Sequence, residues 1–251
     1  MTVLAIEKLS KAFGGVQAVC GVSFAVAPGE RVALIGPNGA GKTTLFNCIN
    51  GQLRPDSGRI DMSGRDVTGQ APHRIWRHGV GRTFQITATF ASMTVAENIQ
   101  VALASADGAA RGLGRRLGTR YRTQAEDLID LVGLAARAAD SAAGLPYGDL
   151  KRLELAVAMT NDPSLLLMDE PTAGMAADAH GGMMNLVDVL VAERGVAVLF
   201  TEHDMDVVFG HADRVIVLDR GQIIAEGSPD EIRTDATVQA VYLGTFDEVT
   251  V

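Results

Sequence analysis

Short apolar runs separated by glycine, proline and charged residues fill the first third of the chain. AIEKLSKAF and GVSFAVAPGERVALIG have the length of short strands and are bounded or interrupted by glycine and proline, as strands commonly are. SGRIDMSGRDV has the apolar-polar alternation and the turn residues of a hairpin, and GVGRTFQ predicts a further short strand. KTTLFNCI, which lies between these runs, predicts a helix. We therefore expect strands on both sides of one early helix.

The pattern changes over residues 86–144, where apolar positions recur at helical spacing. TVAENIQVALASA and QAEDLIDLVGLAARA predict helices with little strand signal around them. Beyond this region, SLLLMDE, GVAVLFTEH and RVIVLD are apolar runs separated by helical segments, which is typical of buried parallel strands. The pattern predicts an α/β core interrupted by a helical subdomain.

Composition narrows the class of protein. The chain has 251 residues, enough for one large domain with an insertion, and its 22 Lys and Arg against 30 Asp and Glu disfavour nonspecific binding to nucleic acid. Cys20 and Cys48 are too few for a disulfide framework or a cysteine-rich metal site, and we expect both to pack as small apolar residues. Without a signal-peptide pattern or a run of about 18 apolar residues, we expect a cytoplasmic chain that does not itself cross a membrane.

A glycine-rich loop provides the strongest chemical signal. GPNGAGKTT, residues 36–44, matches G-x-x-x-x-G-K-[ST] between a predicted strand and a predicted helix. Gly36, Gly39 and Gly41 allow backbone amides to converge on phosphate oxygens at the positive end of the helix. Lys42 is predicted to span the terminal phosphates and Thr43 to hold Mg²⁺. The alternative is an ordinary glycine-rich turn.

Two adjacent carboxylates follow an apolar strand in LLLMDEP, residues 165–171. We predict that Asp169 holds the metal through its water shell and that Glu170 orients and deprotonates the attacking water. An acidic strand end without catalytic function is the alternative for this segment taken alone.

With these two motifs in this order, the chain resembles the ATP-binding cassette family over nearly its whole length. The resemblance implies a P-loop NTPase core with an antiparallel β subdomain and an inserted α-helical subdomain, and it implies ATP and Mg²⁺ as ligands. One cassette would span residues 1–251, with its core in 1–85 and 145–251 and its helical insertion in 86–144. The implied phosphate-loop contacts with ATP are Gly36, Pro37, Asn38, Gly39, Ala40, Gly41, Lys42, Thr43 and Thr44, the last contacting the α-phosphate or stabilising the turn.

Three further positions gain a role through the resemblance. Gln85, in TFQ, occupies the place of the family's metal- or water-binding glutamine, and His203, in LFTEHD, that of the histidine that contacts the γ-phosphate. Phe13 matches the aromatic residue that stacks on adenine, although a core position is the alternative. Residues 173–179, AGMAADA, lie at the family's D-loop but depart from its common Ser-Ala-Leu-Asp form.

LPYGD, residues 145–149, stands where the family has its signature, usually Leu-Ser-Gly-Gly-Gln. Proline at this serine position offers neither a hydroxyl nor an amide hydrogen, but the following helix start can still bind an anion. An ordinary helix cap is the alternative. The resemblance implies that this segment contacts the nucleotide held by a second subunit, through Leu145, Pro146, Tyr147, Gly148 and Asp149.

The segments YGDLKRLELA, AGM, TEHDMDVV and VQAVYLG resemble the ATPase subunits of branched-chain amino acid importers, and importers of urea, amides or other small acids share much of this pattern. The resemblance implies a homodimer, or a heterodimer with a related ATPase, at the cytoplasmic face of the inner membrane. Its partners would be integral-membrane permease subunits and, indirectly, a periplasmic solute-binding protein, with no nucleic acid. A cassette protein acting on ribosomes or DNA is an alternative. A GTP-dependent switch is a third class, but the sequence contains no Asn-Lys-x-Asp motif for reading guanine.

Overall fold

A computed structural model describes residues 2–83, 89–107 and 120–242. Two sheets form its framework. The first is antiparallel, with strand order β2-β1-β4-β5, and the second has the order β10-β9-β3-β8-β7-β6. The strands of the first sheet are β1 (Leu4–Phe13), β2 (Val16–Val26), β4 (Ser57–Met62) and β5 (Arg65–Asp66). Those of the second are β3 (Arg31–Ile35), β6 (Val80–Arg82), β7 (Leu165–Asp169), β8 (Ala197–Thr201), β9 (Arg214–Asp219) and β10 (Gln222–Gly227).

Parallel pairing joins β9, β3, β8, β7 and β6, and only β10 runs antiparallel to its neighbour in this sheet. Every residue of β7 and β8 is buried, because both faces of the sheet are covered. Leu165 and Leu167 face a core shared with the antiparallel sheet, while Leu166 and Met168 face a core shared with helices. This two-sided burial explains why these strands read as continuous apolar runs.

Helices of the described residues connect many of these strands and follow the last of them. They are α1 (Lys42–Ile49), α2 (Pro72–Arg77), α3 (Val95–Ala106), α4 (Arg122–Leu131), α5 (Tyr147–Ala158), α6 (Ala177–Arg194), α7 (Met205–His211), α8 (Pro229–Thr234) and α9 (Ala236–Tyr242). Within the ranges described, the structure contains no helix both long and apolar enough to cross a membrane. The α/β class with an antiparallel and a parallel sheet, predicted from the sequence, is confirmed.

The two helices predicted between residues 86 and 144 are present, with one difference in length. Thr94 caps α3 by a reciprocal pair of hydrogen bonds with Glu97, which explains why that helix starts where its pattern does. The second predicted helix stops at Leu131, because Gly133 adopts a φ of 70°. Short 3₁₀ turns at Ala135–Arg137 and Ala142–Gly144 then lead the chain to α5.

Candidate functional site

The glycine-rich loop connects β3 to α1, as predicted. Two of its glycines are required by close backbone contacts as well as by backbone conformation. Gly36 has a φ of 155°, and a Cβ there would lie 2.1 Å from the carbonyl oxygen of Leu218. Gly41, with a φ of 104°, would place a Cβ 2.1 Å from the carbonyl oxygen of Ala18. The loop is thus held between β9 and β2 in a shape that no larger residue permits.

Lys42 lies at the start of α1 with its side chain almost fully buried. Its Nζ donates hydrogen bonds to the carbonyl oxygens of Gly36, at 2.5 Å, and Pro37, at 3.3 Å. Burial lowers the pKa of the Lys42 ammonium, and the carboxylates of Glu170 and Asp169 partly offset this effect. The lysine is therefore a desolvated cation near the predicted base, Glu170, and the predicted metal ligand, Asp169.

A cavity of about 200 Å³ opens above the loop. It brings residues of the glycine-rich loop together with the predicted base and histidine from two other strands. The lining residues are Ala18, Asn38, Gly39, Ala40, Gly41, Lys42, Thr43, Thr44, Glu170 and His203. Backbone amides and a helix start on one side, with a carboxylate and an imidazole on the other, suit a phosphate chain that is attacked by water.

Asp169 ends β7, and its side chain is held by two neighbours. Its Oδ1 accepts a hydrogen bond from Thr201 Oγ1 at 2.7 Å, and its Oδ2 lies 3.8 Å from Nη2 of Arg82. Thr201 is the residue paired with Asp169 in the parallel ladder between β7 and β8. The ladder register therefore places this hydroxyl at the predicted metal ligand.

Glu170 has a φ of 50°, which is uncommon for a residue with a side chain. Its N–H is held by the carbonyl oxygen and the hydroxyl of Thr201, both at 3.1 Å. This turn directs the carboxylate out of the sheet, where Oε1 lies 2.8 Å from Nε2 of His203. The predicted base and the predicted histidine are therefore in direct contact.

Three residues of this site were missed in the sequence: Arg82, Thr201 and Glu202. Glu202 is buried, and its Oε1 accepts hydrogen bonds from the backbone and the hydroxyl of Thr172 at 2.8 and 2.6 Å. Its Oε2 accepts the N–H of His203 at 3.1 Å. Thr201 and Glu202 had a signal in the sequence, since they are polar residues that directly follow an apolar run. Arg82 had no such signal.

The LPYGD segment forms the start of α5 and does not line the described cavity. Pro146 is the N-cap residue, and Tyr147 is 42% exposed beside Gly174. Asp149, in the first turn, lies 2.9 Å from Nε of Arg137. The segment thus adjoins the D-loop of its own chain, and an anion bound at this helix start would be a separate contact from the glycine-rich loop.

Phe13, at the end of β1, is 49% exposed, and Nζ of Lys11 lies 5.6 Å from the centroid of its ring. The alternative interpretation of Phe13 as a core aromatic is therefore wrong. The predicted position of Gln85 lies outside the described residues.

The fold and the cavity define a P-loop nucleoside triphosphatase, in which a phosphate-binding loop after β3 faces a histidine after β8 and a carboxylate after β7. Comparison with known proteins agrees with this class. Residues 19–173 match the ABC transporter family, and residues 222–248 match the family described as branched-chain amino acid ATP-binding cassette transporter.

Curated relatives match the chain along almost its full length. The high-affinity branched-chain amino acid transport ATP-binding protein LivG of Salmonella typhimurium is 40% identical over 249 residues, covering 96% of this chain and 97% of the relative. BraF of Pseudomonas aeruginosa, which has the same description, is 37% identical over 259 residues, with 96% and 98% covered. A crystal structure of the ADP conformation of MJ1267, an ATP-binding cassette of an ABC transporter, superposes with a TM-score of 0.86 at 30% identity, covering 97% and 99% of the two chains.

The chain belongs to the ABC transporter family, as the resemblance in its motifs predicted. It is an ATP-binding cassette and an ATPase.

Proposed function

We propose that this chain is the ATP-hydrolysing subunit of an importer of branched-chain amino acids. The names of LivG and BraF and the match of residues 222–248 support this solute. They favour it over urea or amides, and over action on ribosomes or DNA. The observation that carries the hydrolytic function is the cavity in which Glu170 and His203 face Lys42 and Thr43.

In the proposed reaction, the phosphates of ATP bind at the amides of residues 36–44 and the start of α1, and adenine stacks on Phe13. Lys42 exchanges its two carbonyl contacts for phosphate oxygens. The negative charge of these oxygens stabilises the Lys42 ammonium, which burial destabilises. Glu170 orients the attacking water and takes its proton, and His203 contacts the terminal phosphate.

Mg²⁺ fits the oxygen groups in and beside this cavity. Thr43 lines the cavity and offers a hydroxyl, and Asp169, the residue before Glu170, offers a carboxylate that would hold the ion through its water shell. Gln85 is proposed as a third contact. Mg²⁺ commonly keeps several waters and uses one or two carboxylates besides substrate phosphates, so this small ligand set is sufficient. When bound, the ion would neutralise phosphate charge.

We propose that one cassette spans residues 1–251, with its core in 1–85 and 145–251 and its helical subdomain in 86–144. Residues 145–149 would contact the nucleotide of a partner cassette, identical or closely related, because they lie away from the cavity of their own chain. Gln85 and the helical subdomain would transmit closure to the permease at the cytoplasmic face of the inner membrane. A periplasmic binding protein would deliver the solute to that permease.

The Glu170→Gln variant tests the proposed base. Glutamine keeps the shape and the contact with water but cannot take a proton, so turnover is expected to fall about 10²- to 10⁴-fold. ATP binding is expected to persist, because the phosphate loop is unchanged. Phosphate release and equilibrium ATP binding are measured with the permease present, beside Glu193→Gln, which removes an exposed carboxylate on α6. Turnover of Glu170→Gln close to that of this control would contradict the assignment.

Uptake measurements test the proposed solute. Cells that express the chain with its permease and binding protein are expected to accumulate labelled leucine, isoleucine and valine, and the same cells with Glu170→Gln are not. Labelled urea and acetamide serve as competing solutes. Uptake of either one in preference to leucine would overturn the branched-chain assignment and leave the ATPase assignment intact.

A further inference from the structure

His180, in the first turn of α6, connects two loops of the site. Its Nδ1 lies 3.1 Å from Oδ2 of Asp204, the residue after His203. Its Nε2 lies 3.2 Å from the carbonyl oxygen of Met175, in the D-loop that follows Glu170. The imidazole therefore bridges the loop after β7, which begins with the proposed base, and the loop after β8, which bears the histidine.

The two atoms that face the ring nitrogens of His180 are both oxygens that accept hydrogen bonds. A backbone carbonyl can only accept a hydrogen bond, so Nε2 must donate to Met175. The carboxylate of Asp204 is also an acceptor, because its Oδ1 already accepts the N–H groups of Asp206 and Val207, at 3.0 and 3.4 Å, as the cap of α7. A neutral imidazole has a single N–H and cannot satisfy both partners. Both contacts become hydrogen bonds only when each ring nitrogen carries a proton.

We propose that His180 is a positioning residue which, as an imidazolium, holds the D-loop against the loop of His203. This inference rests on the proposed roles of Glu170 and His203. Glu202 already joins the two loops at Thr172, close to the base. His180 adds a second connection at Met175, so that the segment from Thr172 to Met175 is fixed at both ends.

Two carboxylates and one guanidinium are the charged groups near His180. Asp204 is the N-cap residue of α7, and Asp206 lies in the first turn of that helix. On α5, Arg152 approaches α6, with a guanidinium nitrogen 3.6 Å from the place of a Cβ at Gly182, two residues beyond His180. Asp204 makes the only ion pair of the described residues with this ring. A ring with a proton on each nitrogen makes both connections, and a neutral ring makes only one of them.

The His180→Asn variant tests the role in turnover. Its amide can replace the Nδ1–H donor to Asp204 but not the donor to Met175, and it therefore imitates a permanently neutral ring. Loss of one charge-assisted hydrogen bond from a partly exposed site is expected to lower kcat about fivefold at about pH 6, with the two proteins converging at about pH 8.5. KM for ATP is expected to stay unchanged, because the phosphate loop is not touched.

His211→Asn is the matched control. Nδ1 of His211 lies 2.8 Å from Oδ2 of Asp188, so this pair also joins α6 to α7, but at the end of α7 away from Asp204. Thermal unfolding is expected to respond in both variants, whereas only His180→Asn changes the pH profile of kcat. Since His203 is present in every protein compared, its own titration cancels in the ratio to wild type. A constant ratio for His180→Asn, or an equal pH slope for His211→Asn, would overturn the proposal.

Nitrogen NMR of the histidine rings tests the protonation directly in the wild-type protein. The signals of His180 are assigned by their loss in His180→Asn, and protons are expected on both ring nitrogens at about pH 6. A single protonated nitrogen at that pH would refute the inference. This measurement needs no hydrolysis, so it can fail while Glu170→Gln behaves as expected, and the reverse is equally distinguishable.

Discussion

Replacing Glu202 by glutamine tests whether the loops after β7 and β8 act as one unit. The carboxylate is buried and accepts three hydrogen bonds, two from Thr172 and one from the N–H of His203. In Glu202→Gln, the amide oxygen can still accept from Thr172. The amide nitrogen then faces the N–H of His203, donor against donor, without any change in side-chain volume.

The magnitude follows from these contacts. Leaving one buried donor unsatisfied costs about 1–3 kcal/mol, and the loss of charge from the two remaining bonds costs about 1 kcal/mol more. We therefore expect Glu202→Gln to lower the free energy of unfolding by about 2–4 kcal/mol. Thr172→Val, which removes only the buried hydroxyl, should cost about 1.5–3 kcal/mol. The double variant should cost less than the sum, because both changes act on the same bond.

Urea unfolding measures these differences as shifts of the midpoint at constant slope, with the exposed Glu193→Gln expected within about 0.5 kcal/mol of wild type. The functional consequence is a lower kcat at unchanged KM for ATP, since the base and the histidine move relative to each other and the phosphate loop does not. If Glu202→Gln is as stable and as active as Glu193→Gln, the two loops are not held together by this carboxylate.

Two further predictions concern the phosphate loop and the helix that follows it. Gly41→Ala should abolish ATP binding, because its Cβ would lie 2.1 Å from the carbonyl oxygen of Ala18. In Gly39→Ala the Cβ meets no atom within 4 Å, so this variant should only lose about 1–3 kcal/mol of stability, through its positive φ. Equilibrium ATP binding and urea unfolding of both variants test this, and equal binding by the two would contradict it. Burial raises the pKa of the Cys48 thiol to about 11, so a thiol reagent at about pH 8 should modify Cys20 alone in the native protein. Modification that persists in Cys20→Ser without denaturant would show that Cys48 is accessible.

Local signals explain which parts of the fold were predictable. The helix KTTLFNCI coincides with α1, and the runs SLLLMDE and RVIVLD contain β7 and β9, because two-sided burial requires uninterrupted apolar residues. The edge strand β10, QIIAEG, has only three consecutive apolar residues between polar ones, none of them fully buried, and it carried no comparable signal. The six-residue α2 was missed because a helix of that length shows barely more than one apolar repeat.

The site divides in the same way. Lys42, Asp169, Glu170 and His203 were predictable because each belongs to a motif of neighbouring residues. The partners that position them were not. Glu202 meets a residue 30 positions earlier in the chain, and this contact depends on the adjacency of β7 and β8 and on their register. The sequence predicts that both strands exist, but not which residues lie opposite each other.

Strand order explains why these partners lie where they do. In the order β3-β8-β7, the strand that leads to His203 lies between the strand of the phosphate loop and the strand of Glu170. Connections between the loops that bear Glu170 and His203 can therefore form at the carboxyl ends of adjacent strands, in the segment that contains Thr201, Glu202 and Asp204. Lys42 approaches the same edge from β3 across the cavity. A phosphate that draws Lys42 away from its carbonyl contacts would consequently meet Glu170 and His203 as a preformed pair. The geometry for hydrolysis would then depend on one distance, between the phosphate and this pair, because the contact between Glu170 and His203 already exists.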